Sequence, residues 1–200
     1  LSAVEPVDAE NVRLRHALGR TLREDLIAAR DHPPFRASAM DGYAVRASDT
    51  PGALRVIGEA GAGNALQVPL GPGECARIFT GAPLPVGADA ILIQEDAVRD
   101  QDIVTAPQIA PARHVRDAGI DFRAGDRVLT SGVTLNAVSI ALAATLGRNA
   151  LTVSRRPRVA VLGGGDELVT PGDTPLADQV FDSMSFAVAA LVEQWGGGAS

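Results

Sequence analysis

The chain has 200 residues, a formal net charge of −6 and 46% hydrophobic residues, which is enough apolar material for the cores of one or two domains. The negative charge argues against the basic surface of a nucleic-acid-binding protein, and no apolar run approaches the roughly 20 residues of a membrane-spanning helix. We therefore expect neither a nucleic-acid nor a membrane partner, and no secretory signal is visible. With 4% aromatic residues, 21 glycines and 13 prolines, the chain predicts an aliphatic core built from short elements and many turns.

Short strands are predicted along the first half of the chain. Residues 12–14 and 26–28 have the pattern of strands, with one or two helical turns between residues 17 and 24. From about residue 43 to about residue 108 the sequence lacks helical periodicity and is punctuated by Pro and Gly, which indicates a β-rich module. Its strands are predicted at residues 43–45, 54–57, 75–79, 90–93 and 103–105.

The second half predicts two helices and two strands. Residues 136–146 predict a buried helix that Gly147 ends, and residues 151–153 predict a strand. The continuous apolar run at residues 159–162 is typical of a strand covered on both faces. A second helix is predicted from residues 182–183 to about residue 195. A strand, a Gly-rich loop and a helix in this order are typical of the start of a parallel α/β domain.

These patterns predict three domains. Residues 1–42 and 109–155 would form a discontinuous α+β domain, residues 43–108 an inserted β-rich domain, and residues 156–200 the start of a truncated α/β domain. The chain begins at Leu1 without Met and ends at Ser200, directly after a predicted helix. These ends are unusual for a complete protein, so we expect the chain to be a portion of a longer one.

A Gly-rich loop follows the predicted strand at residues 159–162. Backbone N–H groups of Gly163–Gly165 can approach a phosphate there, although the loop is neither a P-loop nor a dinucleotide fingerprint. Asp166 and Glu167 follow at once, and two carboxylates beside a phosphate can bind Mg²⁺. A plain turn is the alternative for the glycines.

Further polar residues lie on predicted turns. Ser38, Asp41 and Gly42 are turn formers, the glycine because it accepts a positive φ. Thr80 follows the predicted strand at residues 75–79, where its hydroxyl can bind a substrate or cap its own turn. Asp121 lies on a glycine turn, and a solvated turn residue is the alternative there.

The histidines and the cysteine carry less information. Three scattered histidines without paired spacing argue against a His-ligated zinc site. The single Cys75 excludes an intrachain disulfide and predicts a buried, inert thiol. From the residues alone, the pattern favours Mg²⁺-assisted chemistry on a phosphorylated ligand, and an unrelated Mg²⁺-dependent phosphohydrolase stays possible.

Five blocks along the chain together resemble one known family. The blocks are Pro33–Val45 (PPFRASAMDGYAV), Arg77–Pro85 (RIFTGAPLP), Gly87–Glu95 (GADAILIQE), Gly119–Asp126 (GIDFRAGD) and Arg156–Leu168 (RPRVAVLGGGDEL). The family is MoeA, the molybdopterin molybdenumtransferases that include the E domain of gephyrin. The resemblance implies mixed α+β and β-rich N-terminal domains, followed by the first βα unit of an α/β molybdopterin-binding domain.

The resemblance also implies a function in molybdenum cofactor biosynthesis. MoeA enzymes insert molybdate into adenylylated molybdopterin and release AMP, with Mg²⁺ as the metal. They act as cytoplasmic homodimers in which the active cleft forms between two subunits. Matched motif by motif, the implied catalytic residues are Asp41, Thr80, Asp121 and Glu167. The implied cofactor-binding residues are Ser38, Gly163, Gly164, Gly165, Asp182 and Ser183, and the implied metal ligands are Asp166 and Glu167.

The sequence departs from the family pattern at several of these motifs. Gly163 and Gly164 replace Ser and Thr of the usual STGDEL block, and Met184 replaces the Asn of the usual DSN block. Ile120 replaces a Glu, and Arg36 replaces an Asp. These departures leave open a non-catalytic molybdopterin-binding or scaffold paralogue on the same fold.

Overall fold

The computed structural model describes residues 7–200, within which short strands dominate. The strands are β1 (Ala9–Arg13), β2 (Leu26–Ile27), β3 (Ala37–Ser38), β4 (Gly42–Val45), β5 (Gly52–Ala60), β6 (Glu74–Ile78), β7 (Ala90–Ile93), β8 (Val98–Asp100), β9 (Ile103–Ala106), β10 (Val115–Arg116), β11 (Arg127–Leu129), β12 (Ala150–Ser154), β13 (Arg158–Val159), β14 (Leu168–Val169), β15 (Val180–Phe181) and β16 (Gly198–Ala199). The α-helices of this part of the chain are α1 (Ala137–Thr145) and α2 (Met184–Gln194). Short 3-10 helices cover Leu14–His16, Ala47–Asp49 and Gln94–Asp96.

The chain divides into two compact units. The first unit contains residues 7–27 and 127–200, and the second contains residues 28–126. The three-domain division predicted from the sequence stays a prediction. The second unit extends beyond the predicted insertion, residues 43–108, on both sides, because β3 pairs antiparallel with β10.

A mixed six-stranded sheet forms the centre of the second unit, with strand order β7-β4-β6-β5-β9-β8. Neighbouring strands are antiparallel except β5 and β6, which are parallel. The five strands predicted for the β-rich module are confirmed as β4, β5, β6, β7 and β9. The sequence missed β8, whose three residues are all exposed and therefore carry no hydrophobic alternation.

Strand β4 is buried on both faces of this sheet, because successive side chains of a strand point to opposite faces. Tyr43 and Val45 pack in one buried cluster, which also contains Cys75. Ala44 packs in the opposite cluster, together with Ile91. All four residues of β4 are buried, so the strand holds the turn that precedes it on a rigid base.

A third buried cluster packs α1 against β12 in the first unit, and its buried members are Ala17, Leu22, Leu26, Leu135, Ala143, Leu151 and Val153. The helix predicted at residues 136–146 is confirmed, but the prediction that it is buried is wrong, because only Ser139 and Ala143 of α1 are buried and Val138 is 68% exposed. Asn136 caps it, because its side-chain oxygen accepts a hydrogen bond from the Ser139 N–H at 2.9 Å. Gly147 follows the helix with φ at +77°, a left-handed conformation that costs glycine little.

The helical turns predicted between residues 17 and 24 are wrong. Thr21 and Leu22 instead form isolated antiparallel bridges to Thr134 and Val153. Gly19 precedes them with φ at +72°, which is incompatible with a right-handed helix. Tertiary pairing has therefore overridden a weak local preference.

The strand predicted at residues 159–162 is only partly observed. Strand β13 covers Arg158–Val159 and pairs parallel with β16, and the Leu162 side chain is 93% exposed. The prediction that this run is covered on both faces is therefore wrong for the part of the chain that the structure describes. The helix predicted after the Gly-rich loop is confirmed as α2.

Candidate functional site

Ser38 lies where three segments of the second unit meet. Its N–H donates to the Ala82 carbonyl at 3.0 Å, and its own carbonyl accepts from the Gly81 N–H at 2.9 Å. It also pairs with Val115 across β3 and β10. The Ser38 hydroxyl is buried and donates to the Met40 carbonyl at 2.5 Å, so it shapes the turn that presents Asp41. Its implied role in binding a ligand stays a prediction.

Asp41 and Thr80 are in direct contact. Asp41 Oδ1 accepts two hydrogen bonds, from the Thr80 N–H and from the Thr80 hydroxyl, each at 2.8 Å. Asp41 Oδ2 has no protein hydrogen-bond partner within residues 7–200. The structure thus fixes one oxygen of a partly exposed carboxylate and leaves the other open to a ligand.

The surroundings of Asp41 favour its ionised form. The backbone N–H of Thr80 lowers the pKa of Asp41 most, the Thr80 hydroxyl lowers it further, and the positive charge of Arg77 adds to both. Partial desolvation acts in the opposite direction. At neutral pH Asp41 is therefore a carboxylate, suited to accepting hydrogen bonds or attracting cations and poorly suited to acting as a general acid.

Arg77 is a residue of this site that the sequence reasoning did not single out. Its guanidinium donates to the Gly42 carbonyl at 3.2 Å and to Gln94 Oε1 at 2.7 Å. It also lies 4.9 Å from the centre of the Phe79 ring, in a cation–π arrangement. The sequence feature that could have identified Arg77 is its place in the RIFTGAPLP block, three residues before Thr80.

Gly42 has a different role from the one predicted. The prediction of a positive φ is wrong, because Gly42 is the first residue of β4 and has no such conformation. A Cβ at this position would lie 2.9 Å from the Ile93 Cα and closer still to the Leu92 carbonyl oxygen. Glycine is needed because the backbone of the neighbouring strand β7 occupies the space that a Cβ would fill.

Asp121 lines a cavity of about 310 Å³ in the second unit, whose other lining residues are His32, Pro33, Phe35, Ala37, Gly81, Arg116 and Ile120. Gly81 directly follows Thr80, so this cavity borders the loop that holds Asp41. The Asp121 side chain is exposed, and its ion-pair partner is His32, with Nε2 3.7 Å from Oδ2. The structure therefore brings Asp41 and Thr80 into contact and places Asp121 in a cavity that adjoins their loop.

The remaining predicted residues belong to the first unit. The Gly-rich loop lines a cavity of about 430 Å³, together with Asp182, Met184 and Ser185. A Cβ at Gly163 would lie 2.7 Å from Asp182 Oδ2 and closer still to the Ser185 hydroxyl. The space beside Gly163 is thus too small for a side chain, and the Ser185 hydroxyl lies where a side chain at position 163 would point.

Asp182, rather than Ser183, orients the start of α2. Asp182 Oδ1 accepts from the Ser185 N–H at 3.1 Å, whereas the Ser183 side chain makes no capping bond. Hydrogen bonds from the Ser185 hydroxyl and then from its backbone N–H are the main causes that lower the pKa of Asp182. Asp182 is therefore a carboxylate at neutral pH, next to the glycine loop.

The two predicted metal ligands, Asp166 and Glu167, are exposed. Residues 7–200 contain no group of three or more His, Cys, Asp or Glu side chains that would hold a metal ion alone. A Cβ at Gly165 would lie 2.6 Å from Glu167 Oε1, so the Glu167 carboxylate folds back over the glycine loop. Mg²⁺ keeps several waters and often takes only one or two protein carboxylates plus substrate phosphates, so the chemistry of these two residues is compatible with Mg²⁺ and their role as its ligands stays a prediction.

Comparison with known proteins identifies the family. A family model described as the MoeA N-terminal region, domains I and II, matches residues 1–147. The chain belongs to the MoeA family. The resemblance seen in the five sequence blocks is thereby confirmed.

Named relatives agree with this family. The chain is 40% identical over 199 residues to a molybdopterin molybdenumtransferase from Nostoc sp. and 38% identical over 193 residues to one from Haemophilus influenzae, with 94% of the chain aligned in each case. It covers 45% and 48% of these relatives, so it spans about half of their length.

Solved structures support the fold. A molybdopterin biosynthesis moeA protein from Pyrococcus horikoshii OT3 matches with a TM-score of 0.88 at 33% identity, covering 96% of this chain and 54% of that one. The mixed sheet and its flanking segments therefore have the fold of MoeA N-terminal domains. No helix within residues 7–200 has the length and apolar character required to cross a membrane.

Proposed function

We propose that this chain is the N-terminal part of a molybdopterin molybdenumtransferase, which inserts molybdate into adenylylated molybdopterin and releases AMP. The observation that carries the proposal is the geometry of Asp41, with one oxygen held by two Thr80 donors at 2.8 Å and the other open. The names of relatives that align with 94% of the chain support the same reaction.

Asp41 would act as a fixed acceptor in this reaction. Because its pKa is lowered by the Thr80 donors, it stays charged and can orient a hydroxyl group or a water through Oδ2. Thr80 holds Asp41 through two hydrogen-bond donors, so the Asp41 carboxylate does not need to reorganise when the ligand binds. Asp121 would contribute a second carboxylate from the adjoining cavity.

Residues 156–200 would be the first βα unit of the molybdopterin-binding α/β domain. Strand β13, the Gly163–Gly165 loop and α2 follow one another in the order that such a unit requires. The glycine loop would approach the phosphate groups, with Asp182 and Ser183 at the start of α2 beside it. Asp166 and Glu167 would hold Mg²⁺, which neutralises the charge that develops when a phosphoanhydride is cleaved.

The resemblance further supports a cytoplasmic homodimer in which the cleft forms between subunits. Sedimentation of the full-length parent protein tests this proposal directly. A single species with twice the mass of one chain is expected, and a monomer at micromolar concentration would exclude the shared cleft.

A non-catalytic molybdopterin-binding or scaffold paralogue is the second candidate. It is favoured by the loss of two hydroxyl side chains at Gly163 and Gly164. The position of Ser185 argues for the enzyme, because its hydroxyl lies where a side chain at position 163 would point and can replace one lost donor.

AMP release by the full-length parent protein separates these candidates. The assay supplies adenylylated molybdopterin, Mg²⁺ and molybdate, and compares the wild type with Asp41→Ala and Glu167→Ala. Asp102→Ala is the matched control, because its exposed carboxylate makes only a 3.9 Å surface pair with Arg99. Circular dichroism checks that each variant is folded.

Three outcomes are informative. Molybdate-dependent AMP release that Asp41→Ala and Glu167→Ala abolish, and that the control retains, supports the transferase. Tight substrate binding without AMP release supports the scaffold paralogue. Neither binding nor turnover in the wild type would refute both candidates.

A further inference from the structure

The cavity beside Asp121 contains an ionisable side chain that lies outside all five family blocks. His32 directly precedes the first block, which begins at Pro33, and it lines the same cavity as Asp121. Its side chain is 40% exposed and that of Asp121 is 60% exposed, so both side chains are reachable from the cavity.

The position of His32 is fixed by the segment that carries Asp121. The His32 N–H donates to the Phe122 carbonyl at 2.9 Å, and the Asp121 N–H donates to the His32 carbonyl at 3.1 Å. The imidazole stacks on the Phe122 ring, with centroids 5.3 Å apart and planes inclined by 20°. Backbone and ring contacts to Phe122 therefore hold the imidazole beside the Asp121 carboxylate.

Neighbouring carboxylates have partners of their own. Asp31 accepts from the Ala124 N–H at 2.9 Å, and Asp117 pairs with Arg36 at 3.5 Å. Asp121 instead faces His32, with Oδ2 3.7 Å from Nε2. Because each acid of this region has a separate partner, the His32–Asp121 pair does not result from a crowded charge network.

We propose that His32 is a positioning residue for Asp121. At 3.7 Å, Nε2 is beyond direct hydrogen-bond length from Oδ2, so a proton on Nε2, in the neutral or the charged imidazole, reaches the carboxylate through one water or after a small side-chain rotation. That contact limits the orientations of Asp121 in the cavity that both residues line. The ligand group that enters the cavity then meets a carboxylate with a defined orientation. This inference rests on the proposed function, because it concerns a carboxylate that the family's reaction is expected to use.

Two substitutions separate the donor from the ring. His32→Phe keeps the stacking on Phe122 and removes the donor, whereas His32→Gln keeps a donor and removes the stacking. In AMP release by the full-length parent, we expect His32→Phe to lower kcat about tenfold or more, because a misplacement of about 1 Å can cost up to about a hundredfold. We expect His32→Gln to recover most of that loss and Asp121→Asn to lower kcat at least as far.

A double variant completes the test. If His32 acts through Asp121, His32→Phe has little further effect on kcat in an Asp121→Asn background. The proposal is overturned if His32→Phe leaves kcat unchanged, or if its full effect persists in that background. A larger loss of kcat in His32→Gln than in His32→Phe would also overturn it, because the stacking on Phe122, and not the hydrogen-bond donor, would then determine activity.

An NMR measurement keeps the test independent of turnover. The imidazole ¹⁵N signals of His32 are expected to move in Asp121→Asn and to stay in place in Asp117→Asn, the matched neighbouring carboxylate. If the wild type releases no AMP, the proposed function fails and this spectrum alone decides whether the pair exists. If the wild type is active and the signals do not respond to Asp121→Asn, the positioning role fails alone.

Discussion

Replacing Gly42 by alanine tests whether the close approach of β7 determines the geometry of the Asp41 turn. The added Cβ would lie 2.9 Å from both the Ile93 Cα and the Leu92 carbonyl carbon, and closer to the Leu92 oxygen. Real Cβ contacts below 3.0 Å essentially do not occur. Every atom it meets belongs to the backbone of the neighbouring strand β7, so no flexible side chain can yield.

The expected cost follows from this geometry. Overpacking typically destabilises by about 1–3 kcal/mol and sometimes more, and separating β4 from β7 also weakens backbone hydrogen bonds worth about 1 kcal/mol each. We expect Gly42→Ala to lower the free energy of unfolding by about 3 kcal/mol or more. For a chain of this size, that loss lowers Tm by about 6–12 °C.

Thermal unfolding followed by circular dichroism measures the effect. Gly61→Ala is the matched control, because Gly61 has no positive φ and its Cβ would meet only the Asn64 Cβ at 4.0 Å. We expect the control to change the free energy of unfolding by less than about 0.5 kcal/mol. If Gly42→Ala is as stable as the control, the steric explanation for this glycine is wrong.

Three further predictions concern single side chains. Thr80→Val removes one of the two donors to Asp41, so an NMR titration should show the Asp41 pKa rising toward its ordinary value of 3.8. Because the folded-state pKa of Asp41 is depressed, this carboxylate adds stability above pH 3.8 that is lost as the pH falls through the folded-state pKa. That pH-dependent part of the stability should be smaller in the variant. Cys75 is fully buried and burial raises its pKa to about 11, so a thiol reagent at pH 8 should leave it unmodified until the protein unfolds, and rapid labelling of native protein would contradict this. Asn136→Ala removes the cap of α1 and should cost about 1 kcal/mol in urea unfolding, whereas Asn136→Asp should retain most of that stability.

The sequence predicted those elements whose own side chains face a core. Strands β4 to β7 and β9, and the capped helix α1, combine apolar runs with turn residues, so their local signals agree with their tertiary environment. Strand β8 is fully exposed and the segment near Thr21 takes its conformation from distant partners. Neither carries a local pattern that reveals its structure.

The candidate site was predictable in composition but not in geometry. The motifs named Asp41 and Thr80, yet nothing in their spacing showed that both Thr80 donors converge on a single oxygen of Asp41. Arg77 and His32 escaped notice because their roles depend on partners from other segments, such as Gln94 and Phe122. The positive φ expected at Gly42 was wrong because close strand approach and turn formation both select glycine.

The meeting of three segments at Ser38 has a consequence for folding kinetics. Its partners Ala82 and Val115 are far from it in the sequence, so each contact closes a long loop whose entropy must be lost first. The Asp41–Thr80 bonds likewise join residues 39 positions apart. We expect the contacts at Ser38 and the Asp41–Thr80 bonds to form after the hairpin of β8 and β9, which joins neighbouring residues. During partial unfolding, we expect these contacts to be among the first in the second unit to be lost.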